Sequence, residues 1–340
     1  MKFKSLVTTI AAAGLVLSAQ SSVAGDTLAA VKKKDSIVCG VSTGLAGFSQ
    51  KDEKGKWSGL DVDLCRSVAA AVLGDAKKVQ YKPLTAKERF TALQSGEIDI
   101  LSRNTTWTHT RDTSLGLNFA GVNYYDGQGF MVSKKLGLKS ALELDGATAC
   151  IQAGTTTELN LADYFRSNNM KYTAVTFDTS DQTRSGFESG RCDVLTSDQS
   201  QLYAIRIGLK DPSSAVVLPE VISKEPLGPV VRQGDDEWFN IVKWTMNAIV
   251  ESEFLDVTSA NVDALKANGN PGQKRLLGTE GDAGEKLGLT ADWAYNIVKQ
   301  VGNYSESFER NVGQGSSLKI SRGLNAQWNK GGILYSPPVR

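Results

Sequence analysis

The chain has 340 residues, of which 41% are hydrophobic and 22% are charged. This composition supplies enough apolar surface for a sizeable core and excludes wholesale disorder. Lys and Arg number 38 and Asp and Glu number 37, and such a balance argues against a nucleic-acid-binding protein, which would need a basic face. A single histidine, His109, excludes a histidine-rich metal site, and the lack of a CxxC pair argues against a zinc ribbon. We therefore expect no cofactor and no metal.

Residues 1–24 have the features of an export signal. Two lysines precede an apolar run over 6–17, which is too short to span a membrane. Ser22 and Ala24 satisfy the small-x-small rule for signal peptidase. We expect cleavage after Ala24 and export of the mature chain to the periplasm.

Downstream of the signal, strand-like and helix-like segments alternate, which predicts an α/β protein. In chain order the predicted elements are strand 36–41, helix 61–73, strand 79–83, helix 86–94, a strand ending at 101, strand 147–152, helix 157–168, strand 175–177, helix 181–188 and a strand ending at 195. Asp61 is the expected N-cap of the first of these helices, and Gly74 is expected to end it. The tail from 255 onward is predicted to form short helices that pack on the first of the two lobes argued below.

A seven-residue pattern occurs twice in the chain. Residues 95–101 and 189–195 share the sequence S-G-x-x-D-[IV]-L, at an offset of 94 residues. Each glycine suits the left-handed residue that closes a helix, and each apolar end suits a short buried strand. Polar clusters follow both strands, at 102–106 and 196–198. One such join is common, but two with similar flanks predict two alike lobes, each a doubly wound sheet, with a ligand site beyond the strand ends.

Two segments, 122–132 and 217–231, contain the glycines and prolines expected where the chain crosses between lobes. If both cross, the first lobe is discontinuous. We expect lobe 1 to comprise 25–125 and 222–340, including a C-terminal helical extension, and lobe 2 to comprise 126–221.

Export favours disulfide bonds, and four cysteines can pair in three ways. We favour Cys39–Cys65 and Cys150–Cys192 because each pair then lies within one lobe. Four buried free thiols are the alternative.

The polar loop after the first repeated strand suggests a site for a zwitterion. Asn104 and Thr106 lie in a run of hydroxyl and amide side chains, and Arg111 can hold a carboxylate by two parallel hydrogen bonds. The alternative is a solvated loop in which Arg111 forms a surface ion pair.

Gly154-Thr155-Thr156-Thr157-Glu158 follows a predicted strand and opens a helix, where free N–H groups can bind an anion. A capping box between Thr155 and Glu158 is the alternative, and the two can coexist. Asp198 ends the second repeated strand, where it could accept from a ligand ammonium or cap the next helix.

The pattern G-x-S-x-G at 40–44 matches a hydrolase nucleophile elbow, but no helix is predicted directly behind the serine. His109 would also have to be the only base. We therefore discount hydrolase chemistry.

Several of these segments together resemble the solute-binding proteins of amino-acid uptake systems driven by ATP-binding-cassette (ABC) transporters, solute-binding protein family 3. They are G-L-D-V-D-L at 59–64, S-G-E-I-D-I-L at 95–101 followed by Thr106, Thr108 and Arg111, G-T-T at 154–156 and D-V-L-T-S-D at 193–198. The tail, with F-E-R-N at 308–311 and Y-S-P-P at 335–338, resembles the general L-amino-acid-binding subgroup.

The resemblance implies a two-lobed periplasmic-binding-protein fold with two hinge crossings, and a grip on the ligand shared by both lobes. Arg111 would hold the ligand α-carboxylate with the N–H groups of Thr106 and of Thr156, which lies beside Thr155 in the G-T-T turn. Asn104, Thr106 and Asp198 would hold the α-ammonium.

The resemblance also implies a pocket for the ligand side chain. Phe48 would line it, and Leu45 stands where many relatives have an aromatic residue, which weakens any case for stacking an aromatic or cationic ligand. Arg103, where some relatives have a serine, could lie near acidic ligand side chains or point to solvent.

The function implied by the resemblance is binding of an L-amino acid without turnover by a monomeric protein. The ligand would close the lobes, and an inner-membrane ABC permease would then recognise the closed form. The alternative is an exported cyclohexadienyl or arogenate dehydratase on the same scaffold, with His109 and Glu158 as candidate acid groups. A chemoreceptor could use the same binding chemistry.

Overall fold

The computed structural model describes residues 26–340, so the predicted export signal and its cleavage site lie outside the described residues. The strands are β1 (Ile37–Ser42), β2 (Gln50–Lys51), β3 (Trp57–Ser58), β4 (Val79–Leu84), β5 (Ile100–Leu101), β6 (Leu117–Phe119), β7 (Tyr124–Asp126), β8 (Gln128–Ser133), β9 (Ala147–Gln152), β10 (Tyr172–Phe177), β11 (Val194–Asp198), β12 (Ala215–Val217), β13 (Glu225–Leu227) and β14 (Val230–Arg232). The helices are α1 (Asp26–Lys34), α2 (Leu60–Leu73), α3 (Arg89–Gln94), α4 (His109–Ser114), α5 (Thr157–Ser167), α6 (Ser180–Glu188), α7 (Gln199–Ile207), α8 (Asp236–Phe254), α9 (Val262–Asn268), α10 (Pro271–Leu276), α11 (Ala283–Lys286), α12 (Trp293–Val301) and α13 (Tyr304–Asn311). Within this part of the chain no helix is long and apolar enough to cross a membrane.

Each lobe is built on a five-stranded sheet. The first has the order β4-β1-β5-β14-β6 and the second the order β10-β9-β11-β8-β12. In both sheets the first three strands run parallel and the fourth runs antiparallel to the third. Two mixed sheets with one shared order, each packed against helices, confirm the predicted two-lobed α/β architecture.

The repeated sequence pattern has a structural cause. The glycine of each copy has a positive φ, of 79° and 72°, which a residue without Cβ adopts at little cost. Asp99 accepts a hydrogen bond from the backbone N of Val38 in β1, at 2.7 Å. Asp193 accepts in the same way from Thr148 in β9, at 2.8 Å. The repeated aspartate therefore joins the third strand of each sheet to the start of its parallel neighbour.

A short antiparallel ribbon of β7 and β13 connects the two sheets. The chain passes through β7 on its way from the first sheet to the second and returns through β13. The crossings approach closely, because a Cβ on Gly228 would lie 1.8 Å from the carbonyl oxygen of Gly121. We call this ribbon the hinge.

Both predicted disulfides are present. Cys39–Cys65 joins β1 to α2, and Cys150–Cys192 joins β9 to the turn before β11. Each bond lies within one lobe, and no cysteine of residues 26–340 is left free.

The C-terminal tail packs on helices that support the first sheet, and it also reaches the hinge. Helix α12 lies against α2 and α8, and Arg310 forms a salt bridge with the buried Asp63 at 2.5 Å. The side chain of Asn325 accepts from the backbone N of Tyr125 at 2.7 Å and donates to its carbonyl at 3.0 Å. Asn325 thereby hydrogen-bonds one hinge residue as a neighbouring strand would.

Candidate functional site

A small cavity lies between the strand ends of the two sheets. The residues that line it come from the segments after β4, β5, β9 and β11, and from α7: Arg89, Arg103, Asn104, Thr106, Gln152, Thr155, Thr156, Thr157, Ser197, Asp198 and Gln201. Ligand sites of α/β proteins lie at such strand ends. The structure thus brings together five of the residues predicted to bind a ligand, namely Asn104, Thr106, Thr155, Thr156 and Asp198.

The two walls of this cavity touch, so the cleft is closed. The hydroxyl oxygens of Thr106 and Thr156 lie 3.5 Å apart, and Asn104 donates to Gln201 at 3.4 Å. At the rim, Lys87 of the first lobe forms a salt bridge with Asp178 of the second lobe, at 2.7 Å.

One wall carries two arginines, Arg89 and Arg103, and a third, Arg111, lies behind it. Arg89 is only 2% exposed, donates to Thr105 and to the carbonyl of Gly154 at 3.4 Å each, and its Nε has no partner among the described residues. Burial lowers the pKa of Arg89 well below its ordinary value, and the charges of Arg103 and Arg111 lower it further. Burial likewise lowers the pKa of Arg103 to about 10. A wall of buried guanidinium groups favours an anion.

Arg111 lies behind this wall rather than on the cavity lining. Thr108 caps helix α4 by accepting from the backbone N of Arg111. The guanidinium donates to the carbonyl of Thr106 at 2.9 Å and lies 5.2 Å from the ring centre of Phe90. Burial lowers the pKa of Arg111, and the negative charges of Glu225 and Asp198 raise it by a smaller amount. No ion pair to Arg111 exists within residues 26–340, so the predicted alternative of a surface ion pair does not hold.

The opposite wall is acidic. Asp198 ends β11 with 6% of its surface exposed. It occupies the N-cap position of α7, as the alternative interpretation has it, but its side chain makes no capping hydrogen bond. Burial raises the pKa of Asp198 well above its usual range, and the negative charges of Asp126 and Glu225 raise it further. The charges of Arg89 and Arg111 lower this pKa only in part, so a cationic group in the cavity would further stabilise an ionised Asp198.

Asp126, in the hinge, adds to this negative potential. Burial raises its pKa to about 6, although Ser200 and Gly127 donate hydrogen bonds to it. Acidic groups thus come from the second sheet and from the hinge, opposite the arginines of the first lobe.

The turn that contains Thr155 and Thr156 is ordered differently from the predicted capping box. Thr155 donates its hydroxyl to the carbonyl of Gln152 at 2.7 Å, and Glu158 accepts from the backbone N of Gly154 at 3.0 Å. The capping-box interpretation is wrong because Glu158 reaches one residue further back. Thr156 is the N-cap of α5, but its hydroxyl makes no capping bond.

Asp61 does not cap α2, which begins at Leu60 after Gly59. It is instead buried and accepts from the backbone N of Asn104 at 2.8 Å, a residue with φ of 33°. Burial raises the pKa of Asp61 to about 6. The prediction of an N-cap failed because Asp61 points inwards and fixes the loop that carries Asn104.

Phe48 and Leu45 differ from expectation, since neither lines the cavity. Phe48 is 1% exposed and packs edge-on against Tyr124, with ring centres 5.3 Å apart. Leu45 is also buried and lines a separate crevice between the 43–51 loop and helices α6 and α7. The apolar side chains of this loop fill the core instead of the cleft.

His109 is exposed at the start of α4 and lies outside the cavity lining. Glu158, the other candidate acid for an enzyme, is bonded to Gly154. Neither is among the residues that line the cavity, so the two acid groups named for the dehydratase alternative do not lie at this site.

Sequence reasoning missed Arg89, Gln201 and Glu225. Arg89 lies in the K-E-R-F segment after β4. An arginine next to apolar residues at the start of a helix is the only sequence signal that points to it. Glu225 lies in the segment 217–231, where the glycines and prolines indicate a crossing between lobes but no pattern indicates a role for the glutamate.

Comparison with known proteins agrees with this geometry. The chain is 64% identical to the putative amino-acid ABC transporter-binding protein YhdW of Escherichia coli, over 99% of both chains. It is 60% identical to the general L-amino acid-binding periplasmic protein AapJ of Rhizobium johnstonii, over 100% of both. A solved ABC transporter periplasmic binding protein of Brucella ovis with glutathione bound has 58% identity and a TM-score of 0.91, covering 92% of this chain and 99% of that one. Residues 37–261 match the bacterial extracellular solute-binding proteins, family 3, and the chain belongs to that family.

Proposed function

We propose that the protein binds L-amino acids in the closed cleft and presents them to the permease of an ABC transporter. The observation that carries this proposal is the division of charge across the cavity. Buried guanidinium groups of Arg89 and Arg103 line one wall, and the buried carboxylate of Asp198 lines the other. A zwitterion presents one carboxylate and one ammonium, so it matches both walls at once.

Arg89, which lines the cavity, would hold the α-carboxylate, and Arg111 would support it from behind the wall by anchoring Thr106 and by its charge. Asp198, with Asn104 and Thr106, would hold the α-ammonium. Thr155 and Thr156 would complete the wall contributed by the second lobe. Most of the affinity would then come from groups that every α-amino acid shares, which favours broad specificity.

Binding would be coupled to closure of the lobes. Groups on both lobes contact one small cavity only when the cleft is shut, so a ligand that bridges them stabilises the closed form. The permease would recognise that form. We place the lobe boundaries near 125 and 222, because the strands of the second sheet fall between them.

The names of the relatives support this assignment. One is described as a general L-amino acid-binding periplasmic protein, and the Brucella structure holds glutathione, which carries a free α-amino-acid end. We propose the same periplasmic location after removal of residues 1–24, a monomeric state, and binding without turnover.

Isothermal titration calorimetry and thermal-shift measurements with the twenty L-amino acids and glutathione test the proposal. At about 100 times Kd, a ligand should add about 2.7 kcal/mol to the free energy of unfolding. Mass spectrometry should recover each ligand unchanged. If no amino acid or glutathione shifts the melting curve at millimolar concentration, the proposed function is wrong, and consumption of a ligand would establish an enzyme instead.

A further inference from the structure

Glu225 is a buried hinge residue that contacts both lobes. It begins β13 with 1% of its surface exposed. Its Oε2 accepts from the hydroxyl of Thr106 at 2.6 Å and from that of Thr156 at 2.9 Å. Its Oε1 accepts from the amide of Asn160 at 2.7 Å and from the hydroxyl of Ser223 at 2.6 Å. One carboxylate thus gathers donors from the first lobe, the second lobe and the hinge itself.

The first two of these bonds determine what the cavity offers a ligand. A threonine hydroxyl has one proton to donate and two lone pairs that accept. Thr106 and Thr156 each donate that proton to Glu225. Both residues line the cavity, and their oxygens lie 3.5 Å apart. What remains at these two oxygens is acceptor capacity, which suits an ammonium and not a carboxylate.

We propose that Glu225 is a positioning residue that fixes the hydroxyls of Thr106 and Thr156 as a pair of acceptors for the ligand ammonium. This inference rests on the proposed function and assigns a role in it to a residue that does not line the cavity. The pair forms only in the closed cleft, since Thr106 and Thr156 belong to different lobes. Glu225 therefore links closure to the ability to distinguish an ammonium from other α-substituents.

The charges around the hinge support this role. Glu225 is one of the groups, after burial and Asp126, that raise the pKa of Asp198. Its negative charge therefore acts on the same wall as Asp198 and favours a cation there. A merely structural anchor would need neither the charge nor the shared oxygen.

The test compares Glu225→Gln with a matched control, Ser223→Ala. Both changes remove a hydrogen bond at residue 225, but Ser223 donates to the oxygen that does not touch the cavity hydroxyls. The probes are L-glutamate and 2-hydroxyglutarate, which differ only in the α-substituent. Calorimetry should show a loss of about ten-fold or more for L-glutamate with Glu225→Gln and less than about three-fold with Ser223→Ala. The hydroxy acid should lose much less, so the preference for the ammonium falls.

A second arm alters Thr156. Thr156→Val removes the hydroxyl at similar size, whereas Thr156→Ser keeps it. Glu225→Gln should cost less affinity in a Thr156→Val background than in the wild-type protein, because one of the two hydroxyls through which the carboxylate acts is then missing. If Glu225→Gln fails to fold, the valine and serine variants decide alone, and the valine should lose the ammonium preference that the serine retains.

Equal losses for L-glutamate and 2-hydroxyglutarate, or equal behaviour of the valine and serine variants, would show that Glu225 is only an anchor. Unchanged L-glutamate affinity in a folded Glu225→Gln protein would also overturn the proposal. Failure of the wild-type protein to bind any amino acid would instead refute the proposed function, so the two failures are distinguishable.

Discussion

Replacement of Asp198 by asparagine should weaken amino-acid binding and stabilise the unliganded protein at the same time. Asp198 is buried, and its carboxylate accepts no hydrogen bond from the residues that the structure describes. In the complex, the ligand ammonium would be its charge partner. Loss of one member of such a desolvated pair costs about 2–5 kcal/mol, or about 30-fold to 5,000-fold in Kd.

The effect on the free protein has the opposite sign. A buried polar group without a partner costs about 1–3 kcal/mol, and the charges of Asp126 and Glu225 add to the cost of an ionised Asp198. Asparagine removes the charge at nearly constant size. Each kcal/mol gained raises Tm by about 2 °C in a chain of this length.

The pH dependence separates this cause from a general change in packing. The pKa of Asp198 is raised in the folded protein, so in a window above about pH 4 the folded state keeps a proton that the unfolded chain has lost. Wild-type stability therefore falls as pH rises through that window, up to the raised pKa. The asparagine variant cannot ionise and lacks this contribution, so its advantage should grow with pH and then level off.

Thermal melts between about pH 4 and pH 9 measure the stability difference, and calorimetry in two buffers of different ionisation enthalpy measures protons released on binding. The wild-type protein should release protons where Asp198 is partly protonated, and the variant should release fewer. Asp236→Asn, at an exposed aspartate in the first turn of α8, is the control for a simple change of net charge. A variant with wild-type affinity, or with a lower Tm at pH 8, would refute the reasoning.

Three further predictions concern the grip, the first lobe and the hinge. Arg111→Ala should weaken every L-amino acid by about 1–3 kcal/mol, because it removes the hydrogen bond that holds the carbonyl of Thr106 and a positive charge behind the wall. Arg111→Lys should restore only part of that in calorimetry, because an ammonium keeps the charge but not the planar guanidinium geometry; a loss confined to one class of side chain would contradict this. Cys39→Ala should lower the free energy of unfolding by about 3.5 kcal/mol in urea melts, from closure of a loop of 26 residues; an unchanged midpoint would be inconsistent with the bond. Gly228→Ala should lower Tm by several degrees, since its Cβ would lie 1.8 Å from the carbonyl oxygen of Gly121. An unchanged Tm of the variant would show that the hinge can open there without cost.

Local patterns were enough to predict most of the fold. The repeated S-G-x-x-D segment placed β5 and β11 correctly, because its glycine, aspartate and apolar residues each satisfy a requirement of the same helix-to-strand join. The predicted helix stop at Gly74 is confirmed, with φ of 69°. The cysteine pairing followed once the two lobes were recognised, since each bond closes within one of them.

Side chains that depend on contacts between distant segments could not be predicted in this way. Phe48 is an aromatic residue in a loop near the cleft, but its position in the core is decided by Tyr124, far along the chain. The same is true of Asp61, whose partner is the backbone of Asn104. The local sequence allows a pocket or a core position for Phe48 and a capping or a buried role for Asp61, and only the tertiary arrangement decides between them.

The distribution of charge explains why the ligand has to complete the site. Arg89 and Arg103 donate to neutral acceptors, and the side chain of Asp198 makes no capping hydrogen bond. Among residues 26–340 the closed cleft thus contains buried charges of both signs that form no salt bridge with each other. Burial without pairing is unfavourable for each group. A zwitterion supplies both missing partners in one molecule, and because they lie on different lobes, it relieves the cost only when the lobes are closed. The unfavourable environment of each charged group is therefore what makes ligand binding and closure one event.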